Sequence, residues 1–352
     1  LVFSAPALAD VRIGIAAPLS GSDAVFGTQI RLGVEQAIAD INADGGFLGQ
    51  RGSAVPGDDL GDPKRGSEIA AGFVRDKVQL VVGPFSSGVA MPASAIYGAA
   101  GVLAITPSAT APQITERGLA TIFRLGGRDD QQSAVAARYL ADHATKIAIL
   151  HDRTTAGKAL ADAVRKALLA DGVKDALYAS IDKGDKDVGP LVNRLKTSGA
   201  QIAFWGGTQT EAGLLVRQLH DAGSHAVLMG GIGIASDEFA TLAGPGAEGT
   251  LMTFPADPRQ RPDAADLLHR LQAKGTEPDA YTFYAYAAVQ IIQQAAGLAK
   301  SLDPSALAAT MHGGTVFKTV LGDVAFDMKG DVTTPGYGVI PWRKGPTGRI
   351  GF

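Results

Sequence analysis

At 352 residues and 46% hydrophobic side chains, the chain is long enough for two globular domains. A net charge of −3 without any Lys/Arg run argues against a dedicated nucleic-acid or membrane-surface binder, and no apolar window is long enough to span a bilayer. Zero cysteines exclude thiol catalysis, thiolate metal sites and disulfides, and leave the compartment open.

Residues 1–9 (LVFSAPALA) read as the end of a signal peptide. Ala7-Leu8-Ala9 has the small-x-small cleavage pattern, so the mature, exported chain is expected to begin at Asp10. Val11 to Ala17 is a predicted strand, ended by Pro18. From Gln29, the apolar residues Ile30, Val34, Ala37, Ile38 and Ile41 recur at helical spacing up to the Asn42–Gly46 stop signal. Asp58, Asp59 and Asp62 lack the alternating ligands and terminal Glu of a calcium loop. They read as a capped turn before a helix from Pro63 to Lys77.

The stretch from Leu80 to Pro112 organises the first half. It reads as a buried strand (Leu80 to Val82), a Gly-Pro turn, a serine pair, a helix, a second strand (Val102 to Ile105) and a proline turn into Ser108-Ala109-Thr110. β-Branched runs that stop at Gly/Pro and lead into helices mark a parallel α/β sheet, whose ligands bind past the carboxyl ends of the strands. Two adjacent strand ends then carry hydroxyls, Ser87 on one loop and Ser108 and Thr110 on the next. With free N–H groups near a helix start they form an anion socket suited to a carboxylate. Phe123-Arg124-Leu125 is expected as a crossing segment.

A second α/β series follows Gly126-Gly127. Strands are expected near Lys146–Leu150, Ala176–Ile181, Gln201–Trp205, Val227–Met229 and Gly249–Phe254. Helices are expected over Gln131–His143, Ala156–Asp171, Val188–Ser198, Glu211–Ala222 and Tyr281–Ala299. After the last helix the chain alternates short strands and turns.

Motifs for chemistry fail one by one. His151-Asp152 has no nucleophile elbow to serve, and reads as a structural turn. Gly157-Lys158 fails the phosphate-loop pattern, and Gly231-Ile232-Gly233 lacks the third glycine of a dinucleotide fingerprint. Six histidines show no ligand spacing. What remains is Phe26, Ser87, Ser108, Thr110, Thr208 and Tyr281 at strand-end loops. Singly, each fits turn chemistry or core packing; together they describe a ligand cleft between two lobes.

Over nearly its whole mature length the chain resembles the periplasmic leucine/isoleucine/valine-binding proteins of ABC importers. The resemblance is carried by IGIAAPLSG (13–21), FGTQIRLGVEQAIADINADGG (26–46), DPKRG (62–66) and VVGPFSSGVAMPAS (81–94). It continues through ITPSATAPQITERG (105–118), IAILHD (147–152), FWGG (204–207) and YAAVQ (286–290). It implies an α/β type I periplasmic-binding fold, two Rossmann-like lobes with parallel sheets joined by a three-segment hinge that close on a ligand. Lobe 1 would be 10–126 plus 257–331, and lobe 2 would be 127–256 plus 332–352. It implies no cofactor, no metal and no catalysis. The partners would be an ABC permease and its ATPase, and the chain is expected to act as a periplasmic monomer.

By the same resemblance, the ligand carboxylate is held at positions matching Ser87, Ser108, Ala109 and Thr110, with aromatic walls at Phe26 and Tyr281. Departures from the family are equally informative. The glutamate that pairs the ligand's ammonium is replaced by Ile232, and two tyrosines are replaced by Ala156 and Thr208. The family's disulfide positions hold Gly61 and Ser86. A buried ammonium without a partner charge costs several kcal/mol. The expected ligand is therefore a small carboxylate with a hydrophobic or aromatic body and no α-amine. The alternatives are a branched-chain amino acid binder proper and a ligand-sensing regulator subunit without transport; a hydrolase is disfavoured by the missing nucleophile.

Overall fold

The computed structural model describes residues 10–333, 336–345 and 348–352. The leader expected over residues 1–9 lies outside the described residues. The chain divides into two compact units. The first holds the described residues through Ala109, Gln113–Gly126, and the chain from Pro258 to residue 333. The second holds Thr110–Pro112, Gly127–Asp257 and the described residues after 335.

The first unit opens with β1 (Val11–Ala17), α1 (Ala24–Ala43), β2 (Gly52–Asp58) and α2 (Pro63–Arg75). It continues with β3 (Leu80–Val82), α3 (Ser87–Ala99), β4 (Leu103–Thr106), α4 (Gln113–Glu116) and β5 (Ile122–Arg124). All five strands are parallel, in the order β2-β1-β3-β4-β5. Three expectations are corrected here. Helix α1 starts at Ala24 rather than Gln29, which puts Phe26 on the helix. Strand β2 was hidden by Pro56 and its flanking glycines, and survives because it is an edge strand, where a missing N–H donor is tolerated. Residues 122–124 form the other edge strand rather than a bare crossing segment, with Ile105 opposite Phe123.

The second unit continues with α5 (Asp129–His143), β6 (Ile147–His151), α6 (Thr155–Ala170), β7 (Leu177–Ser180), α7 (Gly189–Ser198) and β8 (Ile202–Gly206). It closes with α8 (Gln209–Asp221), β9 (Val227–Gly230), α9 (Asp237–Ala243) and β10 (Leu251–Pro255). The chain then returns to the first unit as α10 (Ala265–Ala273), α11 (Ala280–Ala299), α12 (Pro304–His312), β11 (Phe317–Thr319) and β12 (Gly322–Val324). It ends in the second with β13 (Tyr337–Pro341), β14 (Arg343–Lys344) and β15 (Ile350–Gly351). The second sheet runs β13-β10-β9-β8-β6-β7, parallel except for β13.

Each sheet is apolar on both faces because helices cover both. In the second unit Leu140, Ile147, Ile149, Leu160, Val164, Phe204 and Met229 form one buried cluster. In the first, the largely apolar α11 lies against α1, and Gly33 is what lets them touch. A Cβ there would stand 2.1 Å from the Thr282 carbonyl oxygen. Both sheets thus bring their strand ends, and the loops that follow, to one carboxyl edge each.

Candidate functional site

At the carboxyl edge of the first unit, β3 ends and Ser86 caps α3, accepting the Val89 N–H at 3.4 Å. Ser87 is therefore the first residue of a 13-residue helix, 4% exposed, where the helix dipole favours an anion. Between strand and helix sits Phe85. Its ring stacks on Phe26 (4.6 Å, 17°) and meets Tyr281 edge-on (5.5 Å, 87°), while Phe26 and Tyr281 are themselves edge-to-face at 5.6 Å. Such contacts contribute about 0.5–1.5 kcal/mol each beyond area burial. Burial pushes the Tyr281 phenol well above its ordinary range, so it stays neutral. The two aromatics singled out from the sequence thus touch each other and share a third ring, Phe85.

The neighbouring loop is held by hydrogen bonds. The Thr106 hydroxyl, at the end of β4, donates to the Pro84 carbonyl at 2.7 Å and accepts the Ala109 N–H at 3.0 Å and the Ser108 N–H at 3.4 Å. The Ser108 hydroxyl donates to the Phe85 carbonyl at 2.8 Å. Two of the expected ligand contacts are thus engaged inside the protein. A serine hydroxyl has one proton, and that of Ser108 is used inside the protein; the Ala109 amide is used too. Both hold the loop in place.

Beneath the loop, Arg124 is fully buried and pairs with Asp331 at 2.6 Å, with Thr115 bonded to both. Its remaining nitrogen donates to the Ala109 carbonyl at 3.3 Å. Arg124 interrupts the apolar run TIFRLGG, and a lone arginine there requires a buried acid; its partner, 207 residues away, could not be read from sequence.

The second unit gathers the other expected residues at its own carboxyl edge. The Thr110 carbonyl accepts the N–H of Asp129, a buried carboxylate opening α5, at 2.9 Å. Ala156 is the second residue of α6, which Thr154 caps by accepting the Gly157 N–H at 3.0 Å. Thr208 precedes α8; its carbonyl accepts the Trp205 indole N–H at 3.1 Å, and its hydroxyl has no partner among the described residues. Ile232 follows β9 in a short 3-10 turn (Ile232–Ile234), half-buried, its N–H donating to Gln132 at 3.3 Å. A Cβ on Gly233 would lie 2.4 Å from the Gly207 carbonyl oxygen, so the Ile232 and Thr208 loops pack backbone to backbone.

The nearest acids along the chain from Ile232 are engaged elsewhere. Asp237 forms an ion pair with Arg349, and Glu238 accepts from Gln209 at 3.2 Å. Asp152 makes the structural turn expected of it, accepting from the N–H and hydroxyl of Thr154 at 3.0 and 2.6 Å. Burial raises the pKa of Asp152, and likewise that of Glu211, which accepts the Gly184 N–H at 2.7 Å. Each leaves one oxygen without a partner among the described residues.

A family model described as periplasmic binding protein matches residues 10–346. The chain belongs to that family. A Leu/Ile/Val-binding protein homolog 1 of Brucella suis biovar 1 (strain 1330) is 46% identical over 354 residues, covering 100% of this chain and 95% of that protein. Two solved binding proteins share the fold. The branched-chain amino acid transporter substrate-binding protein LivJ of Streptococcus pneumoniae, in complex with isoleucine, has a TM-score of 0.86 at 24% identity, covering 97% of this chain and 98% of that one. The solute-binding protein of Rhodopseudomonas palustris HaA2, in complex with p-hydroxybenzoic acid, has a TM-score of 0.85 at 21% identity, covering 97% and 95%. By family and fold the chain is thus a solute-binding protein built of two α/β units. Among the described residues no helix is long and apolar enough to cross a membrane.

Proposed function

We propose that the protein captures a small organic carboxylate with a hydrophobic or aromatic body, carrying no α-amine, for its permease. The observation that carries this reading is the end of β9, where Ile232 stands, with Asp237 ion-paired to Arg349 and Glu238 hydrogen-bonded to Gln209. The carboxylate is taken by Ser87, at the start of α3, and by Thr110. Ser108 and Ala109 brace the loop between them. Phe26 and Tyr281 in the first unit, and Ala156, Thr208 and Ile232 in the second, select the body by shape and apolarity. Each charge-assisted hydrogen bond contributes about 1.5–3 kcal/mol, so a few of them reach micromolar affinity.

A second reading, a branched-chain amino acid binder proper, has one observation of its own. The buried Asp129 carboxylate belongs to the residue whose N–H binds the Thr110 carbonyl, and it could pair an amine. Calorimetric titration with leucine, 4-methylpentanoate and 4-hydroxybenzoate separates the two. The proposed reading expects at least one des-amino acid to bind about 100-fold more tightly than leucine, the difference that an unpaired buried ammonium imposes. Tight leucine binding, lost in Asp129→Asn, with no response to either acid would replace it with the second.

A further inference from the structure

The bonding of Thr106 goes beyond local turn formation. It is 2% exposed and its hydroxyl uses its full capacity, one proton given and two accepted. The three partners lie on two different loops: Pro84 follows β3 and leads to Ser87, whereas Ser108 and Ala109 follow β4 and lead to Thr110. One side chain therefore sets the spacing between the loop that starts α3 and the loop that supplies the next hydroxyl. The Ser108 hydroxyl, donating to Phe85, adds a second tie between the same loops, and Arg124 grips the far side of Ala109 through its carbonyl.

We propose that Thr106 is a positioning residue for carboxylate recognition: without touching the ligand, it holds the β3 and β4 loops in register through the Pro84 carbonyl and the Ala109 amide. The inference rests on the reading of these loops as the seat of the ligand carboxylate. A hydrogen bond loses strength steeply as its geometry departs from ideal. Donors held at the right spacing before binding also avoid the cost of ordering them during it. Removing the hydroxyl thus weakens head-group binding at a distance while leaving the choice of ligand body alone.

The test compares Thr106→Val, which keeps shape and loses the hydroxyl, with Thr106→Ser, which restores it. Both are titrated with 4-methylpentanoate and with its neutral amide. Thr106→Val is expected to weaken the carboxylate about 10- to 100-fold, with little change for the amide, and Thr106→Ser to return it to within about threefold. Equal losses on both ligands, no loss at all, or no rescue by serine would overturn the proposal. Ser87→Ala, run in parallel, distinguishes the two ways to fail. If it leaves carboxylate affinity unchanged, the seat itself is misplaced; if it weakens binding while Thr106→Val does not, only the positioning role falls. A second measurement needs no variant: the Ala109 amide, bonded to Thr106, is expected to be protected from hydrogen exchange in the ligand-free protein. Fast exchange there, with protection only on adding 4-methylpentanoate, contradicts the proposal even if Thr106→Val does not fold.

Discussion

The two carboxyl edges of this protein are finished differently. On the β4 side of the first unit the loop polar groups are tied down: Thr106 fills all its bonds, Ser108 gives its proton to Phe85, and Arg124 is neutralised by Asp331. The second unit's edge is looser, with the Thr208 hydroxyl, one Asp152 oxygen and one Glu211 oxygen lacking partners among the described residues, and with glycines at 206, 207, 231 and 233. A head group common to many ligands calls for fixed donors, whereas a wall that selects among bodies is better served by small residues and adaptable loops. The contrast teaches that one sheet edge can be braced by filled hydrogen bonds while the other is left with spare polar atoms and glycines.

The largest effect is expected at the tied-down edge. Replacing Arg124 by Met leaves Asp331 buried without its partner charge, and should cost about 3–5 kcal/mol in urea unfolding. A loss below about 1 kcal/mol would mean that the pair is not the clamp it resembles.

Asp59 is an exception on the same edge. It follows β2, is 1% exposed, accepts one bond from the Gly61 N–H, and leaves its other oxygen without a partner among the described residues. Burial, with the charges of Asp58, Asp23 and Asp62, pushes its carboxyl up from 3.8 to about 6. Tyr97 faces it from α3, its phenol raised by burial and by the Asp59 charge. A folded-state pKa above the unfolded one means that the folded form prefers the proton. Its contribution is therefore complete below pH 3.8 and is lost as pH rises through about 6. Asp59→Asn should remove a loss of roughly 2 kcal/mol between pH 4.5 and 7.5, read as unfolding free energy at the two values. Identical pH slopes in the two proteins would show that Asp59 ionises freely in the fold.

Much of this architecture was legible beforehand. The strand ends at Val82, Ile105 and Trp205 were placed within a residue or two because β-branched runs stop at Gly or Pro. What escaped notice was set by long-range partners. Pro56 disguised β2, which is stabilised by pairing along its whole length with β1. Phe85 owes its place to Phe26 and Tyr281, which pack around it from helices distant in sequence. The roles of Ser108 and Ala109 depended on which neighbour claimed a single proton or a single amide, something composition and spacing do not encode.

Smaller effects sharpen the comparison further. Ser87→Ala and Thr110→Val should each weaken a carboxylate ligand by about 1.5–3 kcal/mol, near 10- to 150-fold, in calorimetry at constant pH. At the looser edge, Thr208→Val removes a hydroxyl that makes no bond among the described residues. It is expected to change the unfolding free energy by less than about 0.5 kcal/mol, because an unpartnered polar group gives little up. A loss above 2 kcal/mol would show that the second edge is as tightly bonded as the first.

The most direct measurement is the affinity of the unaltered protein for 4-methylpentanoate against 4-methylpentanamide, two ligands of one shape that differ in head-group charge. A preference of about 100-fold or more for the acid is expected, since the amide forfeits charge-assisted bonds at Ser87 and Thr110. Equal affinity for the two would contradict a carboxylate seat at Ser87 and Thr110.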